Sequence, residues 1–317
     1  MLNNDESAAI YRIRFHGRGG QGMKTAGRIL GTAFFLEGFQ VQDAPRYGAE
    51  RRGAPIFSFV RASQGPVNER GMIHVPDLVI IADDTLFSVP AADVLHGITG
   101  RTVLLIHSDQ SPEIWRKRLA FTGTLLTLPT DAEAEDILQH RFIGASCAGA
   151  AARLVGVISR SSLERAVHDE LVDHDEAIIA QNLAIALGPY ELMAPQTGCV
   201  APGGTISAAQ YPRPDWIDLP FDDASRSAPA VFAPLTSEMV KTGLWRTMRP
   251  VIDHSLCSRC WLCSTFCPEG VIDLNGEGYP QIDYDHCKGC LICMAQCPSH
   301  AIRTQAEHDG EPDGGVK

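Results

Sequence analysis

Eight of the chain's ten cysteines fall within residues 257–297, in two runs whose spacing suits a metal. The first run is CSRCWLCSTFCP, with Cys257, Cys260, Cys263 and Cys267 followed by Pro268. The second is CKGCLICMAQCP, with Cys287, Cys290, Cys293 and Cys297 followed by Pro298. Each cysteine recurs thirty residues later, which marks an internal duplication. Three cysteines at intervals of three residues let one tight loop offer three thiolates to three corners of an iron–sulfur cubane, and the fourth corner must come from elsewhere. Structural zinc would pair two Cys-x-x-Cys knuckles and leave the third and fourth cysteine of each run without a role. The pattern therefore predicts one-electron carriage by two 4Fe–4S clusters.

In the two-cluster ferredoxin pattern the fourth cysteine of each run ligates the other cluster, and the proline after it turns the chain away. On that pattern Cys257, Cys260, Cys263 and Cys297 hold one cluster, and Cys287, Cys290, Cys293 and Cys267 the other. Between the runs, VIDLNGEGYPQID offers two short strands around a Gly-rich turn. Trp261, Leu262, Phe266, Leu291 and Ile292 stand among the ligands as a small core and a dry shell. Cys147 and Cys199 lack such company and read as small buried hydrophobes.

A second candidate lies near the start. Gly17, Gly19 and Gly22 fit G-x-G-x-x-G between a strand and a helix, and Asp43 follows at a second strand's end, as in a dinucleotide site. Alone this would suggest an NAD(P)-linked reductase feeding the clusters. Gln21 and the extra Gly20 depart from that pattern, and Asp43 runs into APRYGAERRGAP, a loop dense in arginine rather than a ribose pocket. The loop Gly17, Gly19, Gly20, Gln21 and Gly22 reads equally as a tight turn or as an anion site at a helix N-terminus. Arg46, Arg51 and Arg52 read first as a solvated or intersubunit loop, and second as a clamp for phosphate. His16, His74 and His107 have no partner pattern and read as structural.

The elements that position these residues follow from periodicity. YRIRFH, FQVQD, PIFSFVRA, DLVIIAD and RTVLLIH read as strands, MKTAGRILGTAFFLEG as a helix, and about 131–187 as helical throughout. Alternating strands and helices predict an α/β domain with an open, mostly parallel, Rossmann-like sheet, followed by a small α+β ferredoxin-like domain. GASCAGAAARLVGV is rich in small residues, so its helix is expected to pack very closely. Nine of the twenty prolines fall between Pro189 and Pro250, which reads as an extended linker. The expected domains are 1–188, a linker 189–245, the cluster domain 246–305 and a disordered tail 306–317. A net charge of −11 argues against a nucleic-acid binder. The longest apolar runs are too short to span a bilayer and the start has no signal-peptide pattern, so a cytoplasmic location is expected.

HGRGGQG, YGAERRGAPIFSFVR and VPDLVIIADDTL resemble the gamma subunit of the 2-oxoacid:ferredoxin oxidoreductases, the pyruvate:ferredoxin oxidoreductase family. WRTMRPVIDHSLCSRCWLC and IDYDHCKGCLICMAQCP resemble its ferredoxin-like delta subunit. The resemblance, to a fused gamma–delta chain over about residues 11–305, implies a complex that oxidatively decarboxylates a 2-oxoacid, pyruvate foremost, with thiamine diphosphate and magnesium. It implies alpha and beta partner subunits that carry the thiamine site, because this chain lacks the GDG motif. It also implies transfer of electrons to soluble ferredoxin or a similar acceptor, and coenzyme A contacted by the gamma-like domain. No catalytic acid, base or nucleophile is assigned here. The alternative readings are the NAD(P)-linked reductase and a ferredoxin-bearing adaptor of another complex.

Overall fold

The computed structural model describes residues 9–46, 53–129, 143–204 and 241–307. The chain divides into two compact units, Met1–Tyr211 and Pro212–Lys317.

In the first unit, strands β1 (Ile10–Arg18), β2 (Gln40–Arg46), β3 (Pro55–Ser63), β4 (Leu78–Ile81), β5 (Val103–His107) and β6 (Thr124–Leu128) form one sheet in the order β2-β3-β1-β4-β5-β6. β1, β4, β5 and β6 pair in parallel, and β3 lies antiparallel between β1 and β2. The sheet is thus mostly parallel, with one reversed strand; β6, TLLTL between Gly123 and Pro129, is a strand that the sequence reading does not include. LVII and VLLI are apolar throughout because both of their faces are covered. Helices α1 (Met23–Leu36), α3 (Ile143–Val155), α4 (Arg160–Glu170) and α5 (Glu176–Leu192) cover one face over Ile13, Phe15 and Leu78. On the other face Leu104 and Ile106 meet Leu86, Phe121 and, on α2 (Pro112–Leu119), Trp115.

The small-residue helix packs as its composition predicts. A Cβ on Gly149 of α3 would lie 1.9 Å from the Ala186 carbonyl oxygen of α5, so the two backbones touch there. The first unit also continues past residue 188, against the expected start of the linker. α5 runs through Pro189, the Tyr190 hydroxyl donates to the Ile158 carbonyl at 3.0 Å, and Val200 is buried with its N–H on the Leu154 carbonyl. Gly203 then bridges to Ile10. Proline density misleads here because Tyr190, Met193 and Val200 keep inward positions between the prolines. Cys199 is exposed rather than buried, since Val200 takes the inward position next to it. Residues 205–240, with Trp216, Phe221 and Phe232, lie outside the described residues, as do 130–142 within the expected helical stretch.

The second unit repeats one small motif. β7 (Met248–Ile252) pairs antiparallel with β10 (Ile302–Ala306), and β8 (Ile272–Leu274) with β9 (Pro280–Ile282). The turn between β8 and β9 is closed by Asn275, whose side-chain oxygen accepts from the N–H groups of Glu277 and Tyr279. Lys241–Trp245, expected in the linker, belong to this unit: the Gly243 N–H donates to the Asp285 carbonyl at 2.8 Å and Thr242 Oγ1 to the His286 carbonyl. Ala306 and Glu307, expected in the tail, are held too, because Glu307 takes both ends of the Arg246 guanidinium at 2.6 and 2.7 Å. The tail from 308 lies outside the described residues.

Candidate functional site

Each cysteine run is bent by backbone that side chains rarely adopt. Arg259 and Trp261 have φ of 57° and 66°, and Gly289 and Leu291, thirty residues on, have 67° and 62°. Left-handed backbone at a bulky residue costs of order 1–2 kcal/mol and persists where the surroundings demand it. Here it flanks the second cysteine of each run and turns the chain into the short helical segments Leu262–Thr265 and Ile292–Ala295, which carry the third. The strain recurs at the same register in both halves, so it belongs to the loop's task.

The result is two cavities. Cys257, Cys260, Cys263 and Cys297 line one, with Trp261, Ile252, Pro280 and Ile302 around them. Cys267, Cys287, Cys290 and Cys293 line the other, with Pro250, Val271, Ile272 and Leu291. Each cavity therefore draws three cysteines from one run and the fourth from the other. Among the described residues no three His, Cys, Asp or Glu side chains converge closely enough for a single metal ion. Four thiols spread around an apolar cavity suit the corners of a larger body, and the donor set fits a cubane.

Burial governs the thiols. It raises the pKa of Cys263 and Cys287 and pushes Cys293 up to about 12, so these sulfurs are thiolates only when a cation takes the place of the proton. Burial opposes ionisation at Cys297 too, but hydrogen bonds from Ser299 and from the Ala301 and Ile302 backbone outweigh it and bring the pKa down. Arg246, buried and paired with Glu307, donates to the Cys287 carbonyl at 2.8 Å and so fixes the start of the second run. Lys288 and Glu269 form a 2.6 Å pair on the rim of the second cavity. Of the apolar residues expected as core around the ligands, Trp261, Phe266 and Ile292 are exposed, because Ile272, Ile282 and Ile302 fill the centre.

The glycine loop is closed by its own residues. Gln21 Oε1 accepts the Arg18 N–H at 2.7 Å, its amide donates to Asp83 at 3.1 Å, and Arg18 Nε meets the same carboxylate at 2.9 Å. Gly19 exchanges backbone hydrogen bonds with Ala54 and Gly53. A Cβ on Gly17 would lie 2.5 Å from Met23 Cγ, and one on Gly144 would lie 2.4 Å from the Gly22 carbonyl, so strand, loop, α1 and α3 meet at van der Waals limits. Gly20 and Gly22 hold φ of 98° and 73°. Asp43, the expected ribose partner, pairs with Val60 on β3. It therefore stands two strands from β1, about 9–10 Å across the sheet, whereas the dinucleotide fold sets that strand beside β1. Arg51 and Arg52 lie outside the described residues.

Composition does not reveal what lies on the other face of β1. Arg12, Arg14, His16 and Arg18 alternate with Tyr11, Ile13 and Phe15, a pattern that reads as half-solvated, yet all four are buried. Arg12 binds Glu69 and the Gly204 carbonyl, and Arg14 donates to the carbonyls of Ile73 and Val94 at 3.2 Å. Burial and the Arg14 charge pull the His16 pKa down to about 3, so its ring is neutral. His74 Nδ1 lies 3.2 Å from His96 Nε2.

Residues 12–192 match the family model "Pyruvate ferredoxin/flavodoxin oxidoreductase", and residues 256–308 match "4Fe-4S dicluster domain". Among curated proteins, the chain is 35% identical over 161 residues to the common gamma subunit of the pyruvate/ketoisovalerate oxidoreductases of Pyrococcus furiosus, covering 50% of this chain and 86% of that one. It is 33% identical over 176 residues to the gamma subunit of NADH-dependent phenylglyoxylate dehydrogenase of Aromatoleum evansii, covering 55% and 89%. The crystal structure of pyruvate oxidoreductase subunit PORC from Thermotoga maritima matches with a TM-score of 0.48 and 28% identity, over 58% of this chain and 96% of that one. With 181 of 317 residues inside the family model and the cluster domain behind them, the chain belongs to the pyruvate ferredoxin/flavodoxin oxidoreductase family as a gamma-type subunit that carries its own 4Fe–4S dicluster domain.

Proposed function

We propose that this chain is the electron-transfer and assembly subunit of a thiamine-diphosphate-dependent 2-oxoacid:ferredoxin oxidoreductase. Cys257, Cys260, Cys263 and Cys297 hold one 4Fe–4S cluster, and Cys267, Cys287, Cys290 and Cys293 the other; bound clusters supply one-electron carriage between partner and acceptor. The observation that carries the reading is that each of these sets lines one cavity, on a chain whose first unit belongs to the oxidoreductase family. The strained loops present the thiols, the isoleucines between the runs exclude water, and Arg246 anchors Cys287. Alpha and beta subunits supply the thiamine diphosphate and magnesium, and soluble ferredoxin or a similar carrier takes the electrons. Coenzyme A, where used, meets the first unit near the glycine loop and Arg51 and Arg52.

Pyruvate is the first substrate to test, since several relatives are named for it. The NADH in one relative's name keeps a second reading, in which NAD(P)H exchanges electrons with the clusters; the position of Asp43 weighs against it. Purification of the full chain alone, then with its partners, separates them. Alone it should be brown, bind about eight irons and oxidise no 2-oxoacid. With its partners it should reduce a low-potential acceptor on addition of a 2-oxoacid and not on addition of NADH. Stoichiometric zinc with iron near zero would overturn the reading.

A further inference from the structure

The Cys297 sulfur accepts the Ala301 N–H at 3.3 Å and lies 3.6 Å from Ser299 Oγ. A metal-bound cysteine sulfur carries no proton and can only accept, so in the loaded protein the Ser299 hydroxyl is the donor. Thirty residues earlier, beyond Cys267, the residue matching Ser299 is Glu269. Its carboxylate accepts from Lys288 Nζ at 2.6 Å, and an ionised carboxylate has no hydrogen to give a sulfur. The duplication is broken at this position: a donor stands behind the fourth cysteine of one run and an acceptor behind that of the other.

A hydrogen bond to a ligand sulfur stabilises the state with more negative charge on the cluster. Reduction adds one electron, so the bond favours the reduced form and raises the potential. Ser299 lines the same cavity as Cys257, Cys260, Cys263 and Cys297, while Glu269 and Lys288 line the other. We infer that Ser299 sets the reduction potential of the cluster bound through Cys297, holding it above the value it would have without the hydroxyl. Ser299 thus helps to make two duplicated sites electronically unequal. The inference rests on the ligand sets proposed above.

The test is a redox titration of the iron-loaded full chain, followed by electron paramagnetic resonance, with Ser299→Ala and Ser299→Thr beside the parent. Alanine is smaller than serine and removes only the hydroxyl. It should lower one of two midpoint potentials, leave the other in place and keep the iron content. Threonine keeps the donor and should hold the parental potential. Two unmoved potentials, an equal shift of both, a threonine shift as large as alanine's, or loss of iron in the alanine variant would each overturn the inference. Cys297→Ser and Cys287→Ser separate this from the ligand reading. If both abolish the same signal, the ligand sets fall, while Ser299 keeps its role provided the alanine variant moves the signal that Cys297→Ser abolishes.

Discussion

At Cys267 and Cys297 neighbourhood in sequence and neighbourhood in space part company: each thiol faces the cavity built by the other run. Cys267→Ser should therefore cost about four of about eight irons, and the signal lost should be the one that Cys290→Ser also removes, with that of Cys257, Cys260 and Cys263 intact. Loss confined to the latter would refute the crossing. Asp77 offers a second test at this scale. Its carboxylate accepts the Arg12 N–H at 2.8 Å, yet burial pushes its pKa up to about 6 from an ordinary 3.8. An acid whose pKa is raised by folding contributes stability that is present below its unfolded pKa and lost as pH rises through its folded one. Relative to Asp77→Asn, the parent should lose about 2 kcal/mol between pH 4 and 6. Amide exchange of β1 and β4 reads this directly, and a pH-independent difference would contradict it.

The helices and strands were legible where one physical cause dominated. The short, wholly apolar runs of β4 and β5 read as strands covered on both sides, and the small residues of α3 could be read as a close-packing face before its partner α5 was known. Gly149→Ala should push α3 from α5 at the Ala186 carbonyl and destabilise the first unit by about 1–3 kcal/mol, with the cluster spectra unchanged; a calorimetric melt checks it. Three features stayed hidden because each depends on distant chain. The reversed β3 breaks the dinucleotide pattern, and only the pairing of β3 with both β1 and β2 takes Asp43 away from the glycine loop. The arginines of β1 look like a solvent face until Glu69, Ile73 and Val94 arrive from loops to cover them. Helix α5 passes through a proline because the packing of Tyr190 and Val200 outweighs one lost backbone bond.

For the whole molecule, the proposed function divides the chemistry: eight of the ten thiols of this chain surround the two cavities, and decarboxylation is left to partner subunits. The arginines at 51 and 52, read first as a solvated or intersubunit loop and second as a phosphate clamp, can be tested for contact with a partner or with coenzyme A. Replacing both by alanine should weaken co-elution of the subunits or raise the coenzyme A requirement, with both clusters retained; unchanged behaviour would return them to the solvated surface. The cluster runs were almost wholly readable, since spacing and duplication are local in sequence, whereas Ser299 gained meaning only from its distance to Cys297. The most direct test of the account is electron paramagnetic resonance of the assembled complex frozen shortly after mixing with pyruvate, or with the 2-oxoacid it turns over. The account predicts reduced 4Fe–4S signals that include both clusters of this chain and that disappear from its share of the spectrum in Cys267→Ser, Cys297→Ser double variants. Clusters that stay oxidised while the 2-oxoacid is consumed, or that are reduced by NADH instead, would contradict it.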